Sequence, residues 1–252
     1  MIVHCLGTTG YHPSPSRHTA CYYLPEQSLV LDAGTGMFRL TQHLLEQPKA
    51  TLDIFLSHAH LDHVMGLTFL LDTFAVTALK HVRVFGLSEK LLAVREHLFN
   101  QHLFPVWPAI ELVPIDDLSL PFRLADGSSI SWFPLVHPGG SLGFRIETRA
   151  GSLAYVTDTT TVPDSIYRNR LQNLKLLMHE CYFNDDYREL AIKTGHSWLN
   201  AVEELVSSVR PDKTLLIHIN PLAEILNSPL RLTDRHRELG MIVPEDLDTY
   251  SF

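Results

Sequence analysis

Apolar and polar positions along the chain follow two periods, one near two and one near three and a half. Residues 2–6 form a short apolar run closed by Gly7-Thr8-Thr9-Gly10, which predicts a strand and a turn-rich loop. Beyond the polar, proline-stiffened segment 13–19, residues 20–24 and 28–31 predict two strands around a Pro25-Glu26 turn. Met37, Leu40, Leu44 and Leu45 share one face of a helix over 37–47, which Pro48 stops. Residues 51–56 read as a buried strand, and the apolar run 64–71 opens a buried helix to about residue 79. A strand follows over 82–85, then a helix capped by Ser88 and running to about 103.

From about Ile110 the pattern becomes strand-rich. Asp126-Gly127 signals a hairpin, and 130–136, 142–147, 153–157 and 174–178 read as strands. Trp198, Ala201, Val202, Leu205 and Val209 recur at helical spacing behind Ser197, followed by a strand over 214–217, a helix over 229–239 and a short strand over 241–243. The strands fall in two groups, each followed by helices. That order predicts two sheets packed together with helices outside, a four-layer αβ/βα sandwich forming a single domain over residues 1–252.

Composition narrows the class. A hydrophobic content of 45% with 19% charged residues is ordinary for a soluble globular chain. No apolar run is long enough for a transmembrane helix, and the first residues lack the basic region and apolar core of a signal peptide. Cys5, Cys21 and Cys181 stand far apart with no Cys-x-x-Cys pair, so buried thiols in a reducing compartment, and cytoplasmic residence, are expected. The net charge of −8 argues against loose attraction to nucleic acid. It is compatible with a nucleotide substrate where bound divalent cations reverse the sign locally.

The chemistry concentrates in Ser57-His58-Ala59-His60-Leu61-Asp62-His63, between a predicted strand and a predicted helix. His58 and His60 are two apart, so in an extended segment their rings leave on the same side and grip one metal. His63 breaks that parity; the chain turns, and Asp62 with His63 faces a second ion. Imidazoles and carboxylates are the ligands expected for Zn²⁺ or Mn²⁺ in an open, water-bearing site. His137, Asp158 and His218 each stand at the C-terminal end of a predicted strand, as the cluster does, and strand ends at one sheet edge converge in space. His97 and His102 have no ligand spacing and are expected at the surface or lining a groove.

The run His58-x-His60-x-Asp62-His63 resembles the signature of the metallo-β-lactamase superfamily. The resemblance implies that family's α/β sandwich and two divalent metal ions, with His58, His60 and His137 on one, Asp62, His63 and His218 on the other, and Asp158 bridging. Asp32 matches the superfamily's early Asp, which orients the site by hydrogen bonding. Leu6-Gly7-Thr8-Thr9-Gly10, Asp32-Ala33-Gly34, Ser141–Ile146 and, most specifically, His179-Glu180-Cys181-Tyr182-Phe183 with His196-Ser197 resemble the ribonuclease Z branch. That implies His196 as proton donor to the leaving oxygen and Glu180 as an acid one layer back from the metals; in the mechanism expected, Asp62 ligates and also accepts the nucleophile's proton. His179 is left open between a structural and a functional role.

One departure matters. tRNA-processing members carry a long protruding arm between the third His and the bridging Asp, whereas His137 and Asp158 are only 21 residues apart. The expected activity is therefore that of an armless phosphodiesterase on a small cyclic or nucleotide-type phosphodiester or an RNA-derived substrate. A tRNA 3′-end endonuclease and a thioester or lactone hydrolase of the same fold are the alternatives. The family's habit implies a homodimer, and no membrane association is expected.

Overall fold

The strand-forming runs pair into two seven-stranded sheets in the computed structural model, which describes residues 1–252. Each sheet belongs to its own unit. One unit comprises residues 2–119 with 246–251, the other residues 120–245 with the two terminal residues.

In the first unit, β1 (Ile2–Gly7), β2 (Cys21–Leu24) and β3 (Leu29–Leu31) form an antiparallel meander. β4 (Thr51–Phe55), β5 (His81–Gly86) and β6 (Ile110–Pro114) then add in parallel to β3, and the last strand of the chain pairs antiparallel with β1. β4 shows why its sequence reads as a near-continuous apolar run: Leu52, Ile54 and Leu56 pack into one core with Leu40, Leu44, Leu67 and Leu70 of the helices, while Phe55 on the opposite face stacks on its cross-strand partner Phe85 at 4.3 Å. The one charge inside β4, Asp53, is held by both guanidinium arms of Arg83 at 2.8 and 2.7 Å.

The helices of this unit are α1 (Leu40–Glu46), α2 (Leu61–Val64), α3 (Leu70–Val76) and α4 (Ser88–Ala93). The helix expected after the His cluster is broken into α2, a tight turn over Met65–Phe69, and α3. The break has a cause. The Gly66 amide donates to the Ala33 carbonyl at 2.8 Å, pulling the chain against the loop that follows β3. The helix expected to reach residue 103 ends at Leu98, beyond which Phe99 packs edge-on against Phe104 and Trp107. His97 and His102 are exposed, as expected.

In the second unit, β7 (Phe122–Arg123), β8 (Ser129–Leu135), β9 (Ser141–Glu147) and β10 (Ser152–Val156) form the antiparallel run. β11 (Leu176–Glu180), β12 (Lys213–Ile217) and β13 (Met241–Ile242) continue it in parallel, and β14 (Thr249–Ser251) is the strand paired with β1. The two sheets share one plan, antiparallel strands followed by parallel ones. α5 (Arg188–Thr194), α6 (Leu199–Val209), α7 (Leu222–Ile225) and α8 (Asp234–Glu238) complete this unit. α6 buries Leu199, Val202, Leu205, Val206 and Val209 against Ala154, Leu177 and Leu216 of the sheet. The last helix is shorter than the expected 229–239. It starts at a capping box in which the His236 ring meets the Thr233 amide at 2.9 Å, and Pro229–Leu232 lie outside it. No helix is long and apolar enough to cross a membrane, and all three cysteines are buried free thiols.

Gly66 has no room for a side chain: a β-carbon there would meet the Gly34 carbonyl and the Met37 side chain, each at 2.3 Å. Gly66→Ala is expected to cost about 1–3 kcal/mol as an overpacking change. At roughly 2–4 °C per kcal/mol for a chain of this size, thermal unfolding should show the loss directly.

Candidate metal centre

In the first unit the donors follow β3 and β4. Asp32 ends β3 with φ of 55°, a left-handed backbone uncommon for a residue with a β-carbon. Its carboxylate is fully buried and accepts three hydrogen bonds: from the Ser57 amide at 2.7 Å, the Ser57 hydroxyl at 2.8 Å and His63 Nδ1 at 2.8 Å. The Ser57 hydroxyl, spent on Asp32, in turn accepts from His58 Nδ1 at 3.0 Å. Both rings thereby carry the proton on Nδ1 and present Nε2 as the lone-pair nitrogen, the arrangement a metal ligand needs.

His58, His60 and His63 converge. The His58 ring centroid lies 4.4 Å from that of His60 and 4.3 Å from that of His63. Asp62 Oδ2 is 3.4 Å from His63 Nε2 and accepts the Tyr11 amide at 2.7 Å. The loop carrying Tyr11 is tied down by Asp246, whose carboxylate accepts the Thr8 amide at 2.9 Å and the His18 amide at 2.7 Å and also binds the Arg39 guanidinium.

In the second unit the donors follow β8, β10, β11 and β12. His137 Nδ1 donates to the Gly195 carbonyl at 2.8 Å, and its Nε2 is 3.5 Å from Asp158 Oδ2. Burial pulls the His137 pKa down, against the opposing pull of Asp158, and favours the neutral ring. His218, with φ of 54°, sets its Nε2 3.2 Å from Asp158 Oδ1, which also accepts the Thr157 hydroxyl at 2.7 Å. Donor atoms of Asp158, His196 and His218 lie within 4.8 Å of one another, a group able to hold a cation.

His196 has a separate support. Its Nδ1 is 3.2 Å from Glu180 Oε1, and its ring lies nearly flat on Tyr182 at 4.4 Å. Glu180 is wholly buried and also accepts the amides of Thr159 at 2.5 Å and Ser197 at 3.2 Å. A buried carboxylate with three donors is held in one orientation. His179 is structural. Its Nδ1 donates to the Glu180 carbonyl at 2.7 Å and its Nε2 meets the Tyr167 hydroxyl at 3.2 Å, all fully buried.

Each strand-end residue singled out in the sequence thus lies beside another donor of its own unit. Sequence reasoning gave no role to Ser57 and did not single out Tyr11, Asp246 or Gly195. Gly195 ends α5 with φ of 79°, and a β-carbon there would meet Pro138 at 2.2 Å and His137 Nδ1 at 3.0 Å. A glycine closing a helix just before a candidate functional His was the available signal.

Residues 27–219 match the family model of the beta-lactamase superfamily domain, and the chain belongs to that family. It is 27% identical over 237 residues to the mitochondrial ribonuclease Z 2 of Schizosaccharomyces pombe, covering 85% of this chain but only 33% of that protein's length. It is 24% identical over 292 residues to the ribonuclease Z of Archaeoglobus fulgidus, covering 96% of this chain and 94% of that one. Among solved structures, the metallo-beta-lactamase fold protein YhfI from Bacillus subtilis superposes with a TM-score of 0.74 at 16% identity, over 99% of this chain and 98% of the other. The short form of human tRNase Z superposes with a TM-score of 0.73 at 20% identity, over 100% and 99%. These likenesses show the α/β metallo-β-lactamase fold that the sequence led us to expect.

Burial holds the His179 pKa below the ordinary 6.5, despite the nearby Glu180 charge. An unfolded His179 takes up a proton near pH 6.5 and the folded ring does not, so stability should fall as pH drops below 6.5. The slope from this one ring is at most about 1.4 kcal/mol per pH unit. Histidine ring NMR should show His179 titrating below 6.5, and a ring titrating at 6.5 would contradict the assignment.

Proposed function

We propose that the chain, read as one domain over residues 1–252, is a dinuclear metal-dependent phosphodiesterase. On the family resemblance, one ion would be held by His58, His60 and His137, the other by Asp62, His63 and His218, with Asp158 shared. The donor chemistry fits: His63 and His137 give Nδ1–H to a carboxylate and a carbonyl, which orients Nε2 toward a metal. A set of imidazoles and carboxylates without thiolate suits Zn²⁺ first and Mn²⁺ second. When bound, two such ions lower the pKa of a water and offset phosphoryl charge.

The single observation that carries the reading is the Glu180–His196 pair beside Asp158 and His218. An alkoxide is a poor leaving group, and His196, its Nδ1 proton fixed on Glu180, is placed to give a proton from Nε2 to the departing oxygen. Asp62, held by the Tyr11 amide, ligates and accepts the nucleophile's proton. Glu180 acts through His196 and is a positioning residue. Carbonyl hydrolases have less need of such a donor, which favours a phosphodiester over a thioester or lactone.

A small cyclic or nucleotide-type diester, or an RNA-derived end, is the proposed substrate class. β9 and β10 fill the stretch between His137 and Asp158, leaving no segment for a protruding arm. The names of the relatives favour tRNA 3′-end cleavage as the second reading. We propose cytoplasmic residence, which three buried free thiols support, and a homodimer, which follows the family resemblance.

Purified protein reloaded with Zn²⁺ or Mn²⁺ should hydrolyse bis(p-nitrophenyl) phosphate, with turnover lost in Asp158→Ala. No turnover with two metals bound would reject the reading. His196→Ala should slow an alkyl ester by about 10²–10⁴ and an activated aryl ester far less. Equal losses on both esters would remove the donor role.

A further inference from the structure

A pocket of about 110 Å³, open to solvent on one side, lies in the second unit where β11 and β12 end. Tyr182 lines it, and the same ring stacks on His196 at 4.4 Å and stands 5.5 Å from His218. The pocket therefore begins one aromatic ring away from the proton donor. The aromatic rings of Tyr182, Phe183 and Tyr187 form its walls, with Leu222 and Leu226, 46% and 64% exposed, among its other lining residues. Exposed leucines around a concave aromatic surface mark a site that covers an apolar group.

The polar chemistry of the pocket is narrow. No Lys, Arg, Asp, Glu or His lines it, so it is not built for a phosphate or a charged side chain. It holds two amides. Asn184 gives its Nδ2 to the Ser228 carbonyl at 3.3 Å, which leaves its carbonyl oxygen as an acceptor. Asn220 Oδ1 takes the Leu222 amide at 2.9 Å, which leaves its NH₂ as a donor. Aromatic rings beside amide and hydroxyl groups, with no charge among them, are the features that grip an unstacked base.

We propose that this pocket is the subsite for the nucleobase of a nucleoside phosphodiester, with the scissile phosphate lying on the other side of Tyr182, at His196. The proposal rests on the phosphodiesterase reading and names its substrate class: a diester carrying a nucleoside, and not a cyclic ribose phosphate without a base. The base contributes by binding and orienting the substrate; the pocket residues take no part in bond making.

The test compares two diesters with the same leaving group, thymidine 5′-(p-nitrophenyl phosphate) and methyl p-nitrophenyl phosphate, on metal-loaded protein. The kcat/KM ratio should favour the thymidine ester by roughly ten-fold or more, the scale of one base–aromatic stack. It should fall several-fold toward one in Leu226→Glu and in Tyr187→Ala. A wild-type ratio near one, or a ratio unchanged in both variants, would overturn the proposal. The ratio is read in variants that keep the wild-type rate on the methyl ester, which separates loss of the subsite from misfolding. Saturation-transfer NMR with thymidine on metal-free protein gives an answer independent of turnover. Transfer to the base protons that is lost in both variants supports the subsite, and its absence from the wild type overturns it. Thymidine binding with neither diester hydrolysed would reject the phosphodiesterase reading and keep the base pocket.

Discussion

The arrangement of the first unit depends on one buried carboxylate. Asp32 has no exposed surface and answers its burial with three hydrogen bonds, two from Ser57 and one from His63. Removing a charge from water is costly unless it is fully paired, so the carboxylate holds the three groups that satisfy it as firmly as they hold it. Through His63 directly, and through the Ser57 hydroxyl to His58, it decides which nitrogen of each ring faces outward. The backbone strain at Asp32, with φ of 55°, is the local cost of pointing that carboxylate inward from the end of β3.

The second unit reaches a similar result with different groups. The partner of His137 is the carbonyl of Gly195 and that of His196 is Glu180. Glu180 is anchored by two backbone amides, from Thr159 and Ser197, so the support of His196 is built largely from main chain. The left-handed residue recurs at His218, after β12, where Asp32 has its own after β3. In both units a strand buried in the sheet ends in a residue with a left-handed backbone and a polar side chain at the site.

Much of this could be read from the sequence, for a physical reason. A polar donor that terminates an apolar strand is visible as a break in pattern, which is how His137, Asp158 and His218 emerge. Four donors in six residues between a strand and a helix made His58, His60, Asp62 and His63 plain. The supports were hidden because backbone amides carry no letter: Tyr11 holds Asp62 through its N–H and Gly195 holds His137 through its C=O. Asp246 acts on a loop more than two hundred residues earlier, a pairing no local pattern contains. α5 escaped notice because Leu190 and Ile192 face solvent and blur its period. His179 could be resolved only by its neighbours, Tyr167 and the Glu180 carbonyl.

The groups that would hold metals and the groups that line the aromatic pocket rest on different mechanical foundations. The donors stand at the ends of strands buried among neighbours on both sides, where a shift of one side chain is resisted by many. The outer wall of the pocket is carried by α7, a single turn of four residues, and the loop after it. Changes along 222–230 can therefore accumulate without disturbing the donors. If that pocket holds part of the substrate, a chain built this way can alter what it accepts while keeping how it reacts.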